Sequence, residues 1–205
     1  MGTDHGYVPA ELALRGYRGN LIASDIRREP LASARRTAAE YGVSDKIRFV
    51  LCPGLSGCDK ELVDTVVIAG MGGDTISMIL DETDWVEEPG YRFILQPMTK
   101  NEVLRYYLIN NGFVITGEEL VRDNGTVYQI ITAVYNGSNC HLRDFELYAG
   151  VVALQERNEL YRENLSILKK RFEYIASRSG TSSRRNDVRR REFYENMIRE
   201  MENEL

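Results

Sequence analysis

Ile68-Ala69-Gly70-Met71-Gly72-Gly73 follows the apolar run Asp64-Thr65-Val66-Val67 and leads into Asp74-Thr75-Ile76-Ser77-Met78-Ile79-Leu80. Read outward, this is a buried β-branched strand over 64–69, a glycine turn, and a helix over 74–82. In an α/β sheet ligands sit at the carboxyl ends of the strands. Glycine there has no Cβ, so a ligand can reach the backbone. A strand-to-helix turn with no ligand would read the same way. The second glycine turn, Gly2-Thr3-Asp4-His5-Gly6-Tyr7, favours the ligand-binding reading.

Similar units flank the central one. Asn20–Ser24 reads as a strand ending at Asp25. Pro30 suits the first turn of a helix that runs to Tyr41, with Gly42 as its stop. Ile47–Leu51 and Tyr91–Gln96 read as strands, the latter stopped by Pro97, and 101–110 as a helix ended by Asn111-Gly112. Phe113–Leu120 and Val127–Tyr135 read as strands joined through Asp123-Asn124-Gly125, a hairpin signal. Alternating units of this kind predict a mostly parallel sheet with helices on both faces and an antiparallel strand at its end.

From about 142 the period changes. Leu147, Val151, Leu154, Asn158, Tyr161, Leu165, Leu168, Phe172 and Ile175 keep a 4,3 spacing, a heptad seam with one polar member. Tyr194, Ile198, Met201 and Leu205 resume it after the polar stretch Ser177–Ser183. The spacing predicts an antiparallel hairpin of helices over about 142–177 and 184–204, and a division of the chain into 1–138 and 139–205.

The 205 residues are 43% hydrophobic, enough for a core, and contain no apolar run of membrane-spanning length. The first residues do not have the form of a secretory signal. Three cysteines and two histidines at no familiar spacing argue against a structural zinc site, and a reducing cytoplasm is the expected setting. The net charge of −5 argues against a uniformly basic nucleic-acid binder. Yet 169–191 carries Lys169, Lys170, Arg171, Arg178, Arg184, Arg185, Arg189, Arg190 and Arg191 against Glu173 and Asp187, net +7. Such a patch either faces solvent or holds an acidic partner.

At the end of the second strand Asp25 can accept both hydroxyls of a ribose, or N-cap the following helix. Cys52-Pro53-Gly54-Leu55 follows the third strand, where an adenine ring could lie on the backbone. Neither Gly-x-Gly-x-x-Gly nor Gly-x-x-x-x-Gly-Lys-Ser/Thr occurs, so a pyrophosphate or triphosphate ligand is poorly supported. S-adenosyl-L-methionine, a nucleoside without phosphates, suits what remains.

Gly2-Thr3-Asp4-His5-Gly6-Tyr7-Val8-Pro9, Ile68–Gly73, Ile94-Leu95-Gln96-Pro97-Met98 and Tyr128-Gln129-Ile130 together resemble the TrmK family. These are bacterial tRNA adenine-N1 methyltransferases acting on adenine 22. The resemblance implies a Rossmann-like methyltransferase domain followed by a coiled-coil hairpin, with S-adenosyl-L-methionine as cofactor and tRNA as partner, in a monomeric cytoplasmic protein without metal. By position it assigns Gly2, Thr3 and Asp4 to the first cofactor loop, Asp25 to the ribose, and Gly54 to the adenine turn. Ala69, Gly70, Met71, Gly72 and Gly73 lie beside the transferred methyl, and Gln96 and Pro97 at the edge of the reaction site. Asp4 is the candidate for facing the developing charge or the exocyclic amine, unless it only holds its own loop. Tyr7 would stack on the target base or pack in the following helix, and His5 reads as a loop residue. Lys169, Lys170, Arg171, Arg184, Arg185, Arg189, Arg190 and Arg191 would hold RNA.

Two departures from the family pattern stand out. Pro53 occupies the place of an aspartate that binds the adenine amino group. The family also carries a helix and a strand ahead of the Gly2 motif. The resemblance therefore implies that 20–25 and 64–69 flank an unfilled slot in the sheet, with impaired stability and cofactor binding. A catalytically impaired tRNA-binding protein and a coiled-coil interaction protein are the alternative readings.

Overall fold

The structure, a computed structural model, describes residues 1–151, 158–178 and 185–205. Leu154 and Arg184 of the sequence reading, and the side chain of Arg185, lie outside the described residues. Six strands are seen among the described residues: β1 (Leu21–Asp25), β2 (Ile47–Leu51), β3 (Thr65–Gly72), β4 (Arg92–Thr99), β5 (Phe113–Asp123) and β6 (Thr126–Tyr135). The longer helices are α1 (Tyr7–Leu14), α2 (Arg28–Glu40), α3 (Gly73–Asp81), α4 (Asn101–Asn110), α5 (Asp144–Ala149), α6 (Glu159–Arg178) and α7 (Arg185–Glu204).

The strands form two ladders. β1 pairs parallel with β2, while β3, β4, β6 and β5 form a four-stranded sheet in that order. β3 and β4 are parallel, and β6 runs antiparallel between β4 and β5. The β5–β6 turn is the expected one, with Asn124 at φ 47 and Gly125 at φ 78. β1 and β3 lie in separate ladders, so the strands do not close up, yet the space between them is not left wholly unfilled. Residues 1–3 stand between them: the Met1 amino group donates to the Val67 carbonyl at 2.7 Å. The Gly2 and Thr3 N–H groups donate to the Ser24 carbonyl at 2.9 and 3.3 Å.

Several expectations are corrected. β3 does not stop before its glycines but runs to Gly72. A register shift at Gly70, which has φ 77, marks a bulge, and the Gly70 N–H finds its acceptor in the Gln96 side chain at 2.9 Å. β4 likewise passes Pro97, whose missing N–H is tolerated because it sits opposite the irregular step at Met71.

The helix expected over 142–177 is interrupted. α5 ends at Gly150, φ 95, and α6 starts afresh at Glu159. Asn158 is a cap rather than a seam residue, because its Oδ1 accepts the Tyr161 N–H at 2.9 Å.

α6 and α7 do pack on each other, around Tyr161, Leu165, Phe172, Met197 and Met201. Lys169 of α6 reaches Glu202 of α7 at 2.8 Å, and Phe172 lies 5.5 Å from Tyr194, which makes the pair antiparallel. Leu205, expected in the seam, is 46% exposed, and Met197 is buried instead.

Candidate active site

The parallel strands bring their carboxyl ends to one region. Gly2 has φ 67, and a Cβ on it would stand 2.0 Å from Met71 Cε, so the first loop lies directly against the bulged end of β3. Gly6 has φ 70, and its missing Cβ would meet Ala34 Cβ at 2.7 Å, which presses the other end of the loop onto α2. The loop is closed by the Gly6 N–H donating to the Thr3 carbonyl at 2.6 Å. Backbone therefore holds this turn. Among the described residues the Asp4 carboxylate meets only His5 Nε2, at 3.7 Å, and is largely exposed. His5 Nδ1 lies 3.0 Å from Ser33 Oγ, which anchors it in the loop. Tyr7 stacks on His5 with ring centres 5.5 Å apart and is 60% exposed, so it is not a packing residue of α1.

Asp25 is buried at the end of β1, and its Oδ1 accepts the Arg27 N–H at 2.9 Å. This is a turn contact. Arg27, not Asp25, is the N-cap of α2, and the second carboxylate oxygen has no protein partner among the described residues. The Cys52 N–H donates to the Asp25 carbonyl at 3.0 Å, which sets the Gly54 turn beside it. Gly54 has φ 52, and a Cβ there would touch Ile79 of α3 at 3.6 Å. The buried Met1 amino group lies in the same seam. Desolvation lowers its pKa below the usual 8.0, opposed in part by Cys58, Asp25 and Cys52.

On the β3 side, Gly70 has open space where a Cβ would be, with nothing within 4 Å. Gly73 has none, because a Cβ would stand 2.2 Å from the Lys100 carbonyl oxygen. Lys100, at φ 57, precedes α4 and pairs with Asp74 in the first turn of α3. That hydrogen bond lowers the Asp74 pKa. Motif reading missed both residues, since neither is glycine or part of the Gln96-Pro97 pair. Besides serving Gly70, Gln96 donates from Nε2 to the Pro97 carbonyl at 3.2 Å, so it is a tie across the strand ends with little left for substrate.

Next to this lip, a cleft of ≈ 160 Å³ opens between Met98, Thr99 and Lys100 on one side and Tyr148, Leu168 and Arg171 on the other. Lys170, Arg171, Arg189 and Arg190 are exposed, with Arg190 Nε 3.4 Å from the Tyr194 hydroxyl, and Arg191 is half-buried. Lys169 is spoken for by Glu202 and Glu173. Among the described residues no cluster of metal-ligating side chains occurs, and no helix is long and apolar enough to cross a membrane.

A family model described as a methyltransferase domain matches residues 1–131. The tRNA (adenine(22)-N(1))-methyltransferase of Bacillus subtilis is 27% identical over 165 residues, 78% of this chain and 69% of that one. A putative tRNA methyltransferase of Mycoplasma pneumoniae is 29% identical over 133 residues, 64% of this chain and 60% of that one. Among solved structures, a putative tRNA (m1A22) methyltransferase of Streptococcus pneumoniae in complex with S-adenosyl-L-methionine superposes with a TM-score of 0.80. It is 26% identical and covers 97% of this chain and 90% of its own. M. capricolum TrmK with S-adenosyl-homocysteine gives 0.77 at 22% identity, covering 98% of this chain and 88% of its own, a likeness of fold.

Proposed function

This chain belongs to the methyltransferase-domain family, and from that premise we propose that it is a TrmK-type enzyme that methylates N1 of adenine 22 in tRNA with S-adenosyl-L-methionine. One observation carries the reading. The Gly2–Asp4 loop, Asp25 and the bulged Gly70–Gly73 segment, far apart in sequence, converge at the carboxyl ends of β1 and β3.

The residues fit the cofactor. Asp25 keeps one carboxylate oxygen for a ribose, Gly70 leaves backbone uncovered, the Gly54 turn lies beside Asp25, and Gly2 to Asp4 frame the space between. Pro53 supplies no side-chain acceptor for an adenine amine, so that contact would fall to backbone. When bound, S-adenosyl-L-methionine supplies an electrophilic methyl on a sulfonium.

Adenine N1 carries an in-plane lone pair, so no side chain has to take a proton before attack. The chain's task is alignment, which can contribute about 7–11 kcal/mol. Methylation leaves a positive charge on the base. The exposed Asp4 carboxylate would favour it or accept from the exocyclic amine. Tyr7, exposed beside Asp4, offers a ring on which an extruded base can stack. Pro97 and the Gln96 tie hold the opposite lip in shape.

The protein would act as a cytoplasmic monomer divided near 138. The basic residues of the hairpin would bind phosphates, with the exposed Lys170, Arg171, Arg189 and Arg190 first, and Lys169, Arg184, Arg185 and Arg191 as further candidates. Transfer of labelled methyl to a tRNA transcript tests the reading. Label should enter a transcript with adenine 22 and not one with guanine there. Joint reversal of Arg189, Arg190 and Arg191 to glutamate should weaken tRNA binding and flatten its salt dependence. Equal labelling of both transcripts, or of neither by a protein that binds cofactor, would contradict it.

A further inference from the structure

Two opposite charges are sealed where the sheet meets the helical hairpin. Arg105 of α4 is 1% exposed and Glu118 of β5 is 8% exposed. Each guanidinium nitrogen serves a different element. Nε donates to Glu118 Oε1 at 2.6 Å, Nη2 to Gln129 Oε1 on β6 at 2.7 Å, and Nη1 to the Leu147 carbonyl on α5 at 2.8 Å. The chain of contacts continues outward. Gln129 Nε2 donates to Asn164 Oδ1 on α6 at 3.2 Å, and Glu118 Oε2 accepts the Val151 N–H just past α5. Gly150 completes the fit, because a Cβ there would stand 2.8 Å from Glu118 Oε2 and 3.2 Å from Arg105 Nη2. None of these side chains belongs to the cofactor-side loops.

A buried ion pair is a poor source of stability, since apolar residues of similar volume often do as well. What the planar guanidinium supplies is direction, three bonds in a fixed fork. We propose that Arg105 and Glu118 are positioning residues for the RNA substrate. They set the angle at which α6 and α7 stand to the carboxyl-end loops, so that phosphates held by the hairpin bring the target base to Asp4 and Tyr7. This rests on the tRNA-methyltransferase reading above. It adds that the register between hairpin and site is fixed by a polar lock rather than by the apolar seam alone.

The test is the joint variant Arg105→Met, Glu118→Leu, which removes both charges and strands neither. It should melt cooperatively and bind S-adenosyl-L-methionine within about twofold of the parent, while KM for tRNA rises about tenfold and kcat changes little. Fluorophores on Arg36→Cys and Glu195→Cys, in a Cys140→Ser background, should show a broadened or displaced distance between α2 and α7. Unchanged distance and unchanged KM in the folded variant would overturn the proposal, as would an equal loss of cofactor affinity. Should the joint variant not fold, Asn164→Leu removes only the outer link and must give the same split on a smaller scale, or the proposal fails. If the parent methylates no tRNA, the functional reading falls, and the distance measurement still decides the lock.

Discussion

The two ladders of the sheet are built of different material. The four-stranded ladder closes over large side chains, among them Ile68, Phe93, Leu95, Leu104, Leu108, Phe113 and Ile131, with Phe93 edge-on to Phe113 at 5.5 Å. The core of the β1–β2 ladder is mostly alanine: Ala10, Ala13, Ala23 and Ala38, with Leu21, Val43 and Ile47. At about 0.8 kcal/mol per buried methylene, an alanine core stabilises its surroundings far less than one of leucine and phenylalanine. Among the described residues, the backbone hydrogen bonds that join the two ladders directly across this seam come from Met1 to Thr3. The proposed cofactor site straddles that seam, with Asp25 and Gly54 on the weaker side and Gly70 to Gly73 and Gln96 on the stronger. A ligand there should knit the two together.

The largest effect expected from this contrast is at Gly73, where an added Cβ meets backbone at 2.2 Å. Gly73→Ala should lower the global urea stability by about 3 kcal/mol, because neither α3 nor α4 can yield without disturbing the larger core. Gly6→Ala, also crowded and at φ 70, should cost about 2 kcal/mol and act locally. Hydrogen exchange should quicken in α1, α2 and β1 and hold steady in β4 and β6. A uniform response to both substitutions would make the two ladders one cooperative unit.

Asp25→Ala comes next. It should weaken S-adenosyl-L-methionine by about 1–3 kcal/mol in calorimetry, the cost of leaving buried ribose hydroxyls without a partner. An unaltered affinity would remove Asp25 from the site.

The smallest effect belongs to the Met1 amino group. Burial lowers its folded pKa below 8.0. The unfolded chain therefore binds more protons between the lowered value and 8.0, and stability rises with pH through that window and levels off above it. Urea midpoints taken from neutral pH to above 8.0 on a chain with a free amino terminus should show this rise. Acetylation of the terminus should abolish it.

The sequence was most legible where local chemistry decides the outcome. β2 and α4 fall at the expected residues because each is bounded by its own turn and stop signals. The Asn124-Gly125 hairpin is equally local. Legibility failed where a distant partner takes over. Gly70 reads as the start of a turn, yet β3 continues because a side chain 26 residues away satisfies its N–H. The heptad count carries a helix through Gly150, which instead bends over the Arg105–Glu118 pair. Asn158 fits the 4,3 rhythm while serving as a cap. Arg105 and Glu118 were not singled out from the sequence, since nothing nearby in it announces their burial. At the candidate site the glycines and Asp25 were visible as residue types at strand ends. The Lys100–Asp74 pair and the tying role of Gln96 were not.

The central claim is that one ligand site spans both ladders. Amide hydrogen exchange with and without saturating S-adenosyl-L-methionine tests it most directly. We expect protection to rise together at Gly2–Gly6, at Asp25 to Arg27 on the weaker ladder and at Gly70 to Gly73 on the stronger one, with the exchange rate of the whole β1–β2 ladder falling toward that of β4 and β6. Protection confined to one side of the seam, or none in a protein that remains folded, would contradict it.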